Sequence, residues 1–287
     1  MGPMKTSRWL LVLGMTAGSA LLAGCGDDGG TGTAVFNTWG EDYIEVELPA
    51  DKLEDGWRIT YQRFLVAIGR ITVADTAGET AASSNKMYLF NHVVPGVKPI
   101  EEFKDLEAKA WDEVSYEISP APADVILDAS ANEADKQLMV DNGYADYIEA
   151  TATKGDQTIK MNWGLSLNTR YITCAGPKEG KETAGAIVTN GGVDTMELTI
   201  HGDHYFFDDL QAANAKNRFD AIAAADANMD GEVTLEELDQ VDLTQLPDGQ
   251  YGTGAAGNIN TLGDYVGALS RTIGHFRGEG ECFAQPR

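Results

Sequence analysis

The sequence predicts a mixed fold, a mainly-β, sandwich-like domain followed by an α-helical segment, and three observations carry that prediction. Residues 34–205 hold a succession of runs rich in β-branched and aromatic residues, with period-two stretches and short turns between them. From Phe206 the texture changes to alanine-rich, helix-favouring sequence. Within this C-terminal region an acidic run, Asp226 to Glu237, is flanked on both sides by apolar residues at helical spacing. The domain boundary is therefore expected near Phe206, with 34–205 as the β domain and 206–287 as the helical segment.

The chain begins with an address. Lys5 and Arg8 form a positive leader, Trp9 to Leu22 is a mostly apolar run too short to span a bilayer, and Leu22-Ala-Gly-Cys25 follows. This pattern resembles the lipobox of bacterial lipoproteins. The resemblance implies that residues 1–24 are a signal peptide removed on export, and that Cys25 carries lipid chains that anchor the protein to a membrane. Residue 26 is glycine, with aspartate only at 27 and 28, so the expected destination is the outer membrane. Residues 25–33 are rich in glycine and small polar residues and are read as the lipidated cysteine with a flexible tether.

Composition narrows the function classes. The formal charge is −24, and removal of the leader takes away Lys5 and Arg8 but no acid, leaving −26. So anionic a body excludes nucleic acid as an expected partner. With Cys25 lipidated, Cys174 and Cys282 remain for an oxidising compartment, and a disulfide between them is expected. It would tie the tail to the middle of the chain, worth roughly 4–5 kcal/mol in the chain-entropy picture.

The β region opens with Trp57–Val73, and further strands are expected at Met87–Val93, Glu113–Ile118, Asp146–Ala152, Thr158–Ile172, Ala186–Thr189 and Val193–His201. One helix, Asn132 to Val140, interrupts them and ends near Gly143. Asn190-Gly-Gly192 reads as a hairpin turn between the last two strands, since asparagine and glycine tolerate positive φ. A final helix is expected from about Thr261 to Phe276, with Leu262, Tyr265, Val266, Leu269 and Ile273 along one face.

The most informative stretch is the acidic run itself. Calcium takes six to eight oxygens at roughly 2.3–2.6 Å, so a short loop must present oxygens from alternate positions as it wraps the ion. Asp226, Asn228 and Asp230 stand at positions 1, 3 and 5, Gly231 at the turn position 6, and Glu232 at 7, where its backbone carbonyl would serve. Thr234 at position 9 would act directly or through water, and Glu237 at position 12 would close the site with both oxygens. From Phe219 to Val241 the chain resembles the EF-hand family, and the resemblance implies Ca2+ bound at these residues. EF-hand loops usually pair through a short strand at position 8, here Val233. Gly257, Ile259 and Thr261-Leu262 echo a second loop but bring no carboxylate to it. A lone hand suits an extracellular module working at roughly 10⁻⁴ to 10⁻³ M calcium.

Of the four histidines, at 92, 201, 204 and 275, only His201-Gly-Asp-His204 is a local cluster with transition-metal character, and zinc or copper would accept such ligands. The plainer reading is a polar corner where the last strand turns into the helical segment. The order of Trp57–Val73, Tyr88-Leu-Phe90 and Trp111–Ile118 is similar to that of the periplasmic copper-associated proteins encoded beside methanobactin genes, over about a hundred residues and without a shared metal motif. No nucleophile elbow, zinc-protease helix or phosphate loop occurs, and the acid pairs Glu101-Glu102 and Asp112-Glu113 have no readable separation. The sequence thus leads to an exported, lipid-anchored, non-enzymatic protein in which calcium holds a helical segment against a β domain. The alternative is a periplasmic copper- or zinc-handling protein using His201 and His204.

Overall fold

A computed structural model describes residues 29–212 and 214–287. The expected signal peptide, residues 1–24, and Cys25 lie outside the described residues. In chain order come β1 (Thr31–Gly40), α1 (Asp42–Glu45), β2 (Arg58–Ala74), β3 (Thr80–Ser83), β4 (Met87–Asn91), β5 (Lys98–Glu107), β6 (Ala110–Trp111), β7 (Glu113–Ile118), β8 (Ile126–Leu127) and α2 (Glu133–Asn142). Next are β9 (Asp146–Lys154), β10 (Gln157–Leu165), β11 (Thr169–Lys178), β12 (Lys181–Ala184), β13 (Ala186–Ile187) and β14 (Val193–Ile200). The C-terminal region holds α3 (Asp220–Ala223), β15 (Glu232–Val233), α4 (Leu235–Leu238), α5 (Leu262–Leu269) and β16 (Glu281–Pro286). The fold is mostly β with a few short helices near the C-terminus, as the sequence predicts.

The larger sheet is organised on β2, whose 17 residues are long enough to take two partners on each edge. One edge pairs with β9 and then β7, the other with β4 and then β3. On the first edge β9 gives way to β7 between Val66 and Ile68; on the other, β4 gives way to β3 between Gly69 and Thr72, at a bulge where Arg70 adopts φ 48° and the strand bends, curling the sheet. From this strand the sheet runs β12-β11-β7-β2-β9-β10-β15, with β16 beside β11. A smaller sheet, β14-β1-β5, packs against it, and Phe36, Met196 and Leu198 from it share one core with Phe64, Val66 and Ile148. Phe206, Phe219, Leu262 and Tyr265 belong to that same core, so 34–205 and 206–287 bury their apolar surface together.

Several differences from the expected elements have clear causes. β1 starts at Thr31, inside the stretch expected to be tether, because its backbone finds partners in both β14 and β5. The turn at Asn190–Gly192 forms, with Gly191 at φ 68°, but it does not close a hairpin: Gly191 N–H donates to Thr31 O at 2.7 Å, drawing β14 into a parallel pair with β1. The expected strand Thr158–Ile172 is two strands, β10 and β11. The helix at Asn132 is as expected, with Asn132 as its cap and Gly143 closing it at φ 65°.

The last helix stops at Leu269, earlier than its apolar face suggests. The backbone beyond it is claimed by β14: His201 N–H donates to Ile273 O and His275 N–H to Thr199 O, each at 2.9 Å. Gly274 makes this crossing possible, since a Cβ there would stand 2.8 Å from the Tyr116 hydroxyl and 2.9 Å from the Tyr171 ring. The chain then turns back as β16 along β11, where Cys174 and Cys282 form the expected disulfide.

Candidate metal centre

The centre is built by the parallel pairing of β1 and β14. In register, Gly40 faces Ile200, so the two strands end side by side and the next residues, Glu41 and His201, emerge together. His201 Nε2 lies 3.0 Å from Glu41 Oε1. Two residues on, a 3₁₀ turn over Asp203–Phe206 carries His204 back over the strand end. The segment after α5, tied to β14 as above, brings in His275.

The three imidazoles converge. His201 and His275 stack at a centroid separation of 3.9 Å, and His204 stands edge-on to them at 5.2 and 4.9 Å. One nitrogen from each lies within 4.8 Å of the others. His201 Nε2 and His275 Nδ1 are buried without a hydrogen-bond partner among the described residues, the state expected of lone pairs kept for a ligand. For His204 the tautomer follows from its neighbour: Thr272 Oγ1 gives its single proton to Leu269 O at 2.8 Å, so His204 Nδ1, 3.0 Å away, must donate to it. That leaves the His204 Nε2 lone pair free, with a second partner orienting the ring as metal-ligating histidines require.

Electrostatics favour the same use. Burial, with His275 adding to it, pushes His201 down to about 3. Burial and the two neighbouring rings hold His204 well below the usual histidine range, and burial lowers His275 against the pull of Glu281 and Glu279. All three are neutral at pH 7, so a metal ion would displace no proton from them. Glu41 is pushed in the opposite direction, up to about 8, by burial and by Asp203 and Glu279. Glu41, His201 and Glu279 make a second convergent group, with ligand atoms again within 4.8 Å of one another.

Of these residues the sequence singles out His201 and His204. His275 falls within the expected final helix and gives no signal of its own, and Glu41 and Glu279 are two acids among many. His92 is elsewhere: Thr38 Oγ1 donates to Leu198 O at 2.7 Å and accepts from His92 Nε2 at 2.9 Å, under the smaller sheet. The acid pairs stay apart from the centre, with Asp112 capping Thr76 and Glu101 bonded to Ser84 and Lys86.

The acidic loop folds as its spacing requires in its first half. Asp226 accepts from the N–H groups of Asp230 at 3.1 Å and Gly231 at 2.9 Å, Asn228 accepts from Asp230 at 2.8 Å, and Asp230 from Glu232 at 2.9 Å. Gly231 makes the turn at φ 81°. Thr234 caps α4, and Glu237 Oε2 accepts from the Thr234 backbone N–H and hydroxyl, each at 3.0 Å, in a capping box. Asp226, Asn228 and Asp230 are thus drawn together round the turn, while Glu237 is held at the helix cap. The loop's strand pairs with the sheet and not with a second hand: Glu232–Val233 runs parallel to Lys160–Met161 of β10, and Trp163 Nε1 donates to Val233 O at 2.7 Å. The echo of a second loop does not form a partner, because Thr261 caps α5 and bridges to Asp242.

Fold and site together define a β-rich protein with a buried three-imidazole group at the end of a parallel strand pair and an acidic loop zipped to its main sheet. No known family profile and no curated protein matches the chain. Among solved structures, MbnP from Methylosinus trichosporium is similar over 61% of this chain and 77% of its own, at 12% identity and a TM-score of 0.33. A likeness at that level leaves the site to be read from its own geometry. Among the described residues no helix is long and apolar enough to cross a membrane.

Proposed function

We propose that this chain is an exported, lipid-anchored protein that holds a copper or zinc ion at His201, His204 and His275. The single observation that carries the reading is the convergence of three neutral imidazoles, two with orphaned buried nitrogens and the third with its tautomer fixed by Thr272. Nitrogen donors of this kind suit copper and zinc, with water free to complete the coordination. The role is one of holding and handing on a metal rather than catalysis. Calcium is the second ion in this reading. Asp226, Asn228, Asp230, the Glu232 carbonyl, Thr234 and Glu237 would hold it, clamping the segment before α4 to β10, and the observation favouring it is the turn of Asp226–Gly231 around its own carboxylate. Anchoring through Cys25 to the outer membrane rests on the lipobox resemblance alone.

The test is elemental analysis and calorimetry on untagged protein lacking residues 1–25. The expected result is one equivalent of copper(I) or zinc, the copper(I) lost in His204→Ala, and one of calcium, lost in Glu237→Gln, each variant keeping the other ion. Retention of copper(I) by both His204→Ala and His275→Ala would reject the centre.

A further inference from the structure

We infer that Glu41 and Glu279, with His201, form an outer capture position for a divalent cation, and that the three-histidine centre is loaded from it by ligand exchange about His201. The inference rests on the reading of that centre as a metal site and adds to it a route by which the ion arrives.

His201 belongs to both convergent groups, and they share nothing else. Along the outer group exposure falls step by step, from Glu279, which is exposed, through Glu41, which is half-buried, to His201, which is buried. A recess of about 290 Å³ leads to this group and is lined by Trp39, Glu41, Asp42, Tyr43 and Glu279. That lining has three carboxyl groups and no lysine or arginine, and two of them, Glu41 and Glu279, belong to the outer group, so cations are drawn to its exposed side. His204 and His275 border a cavity of about 310 Å³ whose lining shares no residue with that recess.

The chemistry of His201 then limits what two adjoining groups can do. Its ring is hydrogen-bonded to the backbone of Gly278, while Nε2, 3.0 Å from Glu41 Oε1, has no hydrogen-bond partner among the described residues. A nitrogen with one lone pair serves one metal ion at a time. The two groups are therefore alternative positions of a single ion and not a dinuclear site. The outer set, two carboxylates and one imidazole, suits a hydrated divalent cation because hard oxygen donors can replace its waters one by one. The inner set is all nitrogen. In the transfer the bonds to Glu279 and then Glu41 break as bonds to His204 Nε2 and His275 Nδ1 form, with His201 Nε2 bound throughout. No electron moves and the neutral imidazoles release no proton; Glu41, pushed up to about 8, gives its proton to water when the cation binds and takes one back from water when the ion moves inward.

Cobalt(II) is the probe, because weak absorption marks an oxygen-rich site and intense visible bands mark a tetrahedral nitrogen-rich one. On calcium-saturated protein, stopped-flow mixing should give a weakly absorbing species that converts to the intense one, with one equivalent bound in all. Glu279→Gln, a change at an exposed residue, should reach the same final spectrum about tenfold more slowly. His204→Ala should stop at the first species. Copper(I), which has no preference for carboxylates, should load wild type and Glu279→Gln at equal rates. Two equivalents in the wild type, unchanged loading in Glu279→Gln, or no cobalt at all in His204→Ala would each overturn the outer position while leaving the centre standing. Failure of the wild type to develop the intense bands would instead reject the centre.

Discussion

At the scale of single residues, the buried acid Asp146 shows how the centre's surroundings respond to pH. Its carboxylate accepts from the Tyr205 hydroxyl at 2.5 Å, beneath the turn that carries His204, and burial pushes it up to about 7 despite that bond and the nearby Arg271. A carboxyl whose folded pKa lies above its unfolded one binds its proton more tightly in the folded state. The stability this gives is fully present below pH 4 and is lost as pH rises through about 7. Asp146→Asn keeps an acceptor for Tyr205 and removes the titration. The variant should therefore gain in melting temperature relative to wild type between pH 4 and pH 8, and a constant difference across that range would contradict the assignment. Such a residue is not legible in the sequence, where Asp146 is one acid of many at the start of a strand. The calcium-loop residues are legible because all six candidate ligands lie in one run, so spacing alone states the geometry. The imidazole group is the opposite case. Glu41, His201 and His275 come from distant stretches of the chain, and they meet through the register between β1 and β14 and the bonding of the Ile273–His275 segment to β14, neither of which a local pattern encodes.

At the scale of elements, the acidic loop and the histidine-bearing turn are mechanically joined. The Asp203–Phe206 turn is braced from two sides: Phe219, at the start of α3, packs on Phe206 at 5.8 Å between ring centroids, and Trp163 of β10 stands 6.5 Å from Tyr205. Asp55 caps the start of α3 by accepting from the N–H groups of Phe219 and Asp220, and Trp163 holds the Val233 carbonyl at the other end of the loop. In the calcium reading proposed above, ordering the loop would steady both supports of His204. Trp163→Phe removes one of them and strands a buried carbonyl, which should lower stability by about 1–3 kcal/mol. It should also weaken calcium binding, and calorimetry giving wild-type calcium affinity in that variant would show that β15 is not held through this bond. The sequence marks Val233 as a strand residue but points to the wrong kind of partner, because EF-hand strands normally meet each other. Here the β10 edge is open and takes it. The final helix is shorter than its pattern for a related reason: Ile273 continues the helical apolar spacing, yet it is buried beyond the helix end with its carbonyl taken by His201.

At the scale of the whole molecule, the Cys174–Cys282 bridge spans 108 residues and closes β16 onto β11, on the side of the sheet that also carries the His275 segment. The acidic loop closes onto β10, at the far end of the strand order. From the sequence, with the helical segment lying between two fixed points, reducing the bridge is expected to weaken calcium binding. With the loop zipped independently to β10, reduction should instead fall on stability and on the histidine centre. Cys282→Ser should lower stability by about 4–5 kcal/mol in the chain-entropy picture and weaken copper or zinc binding, with calcium affinity little changed. An equal loss of calcium affinity would show that bridge and loop are coupled after all.

The parallel pairing of β1 with β14 also governs when the protein takes shape. Thr38 and Leu198, joined across that pair, are 160 residues apart in the chain, and contacts of such long range form late. A newly made chain lacks the strand that its first strand needs until most of its length has left the ribosome. It therefore remains threadable, as the export proposed above requires. Until it folds, Glu41, His201 and His275 are strangers to one another, and an ion of the kind proposed for the centre would find single imidazoles and no three-nitrogen cage to settle in.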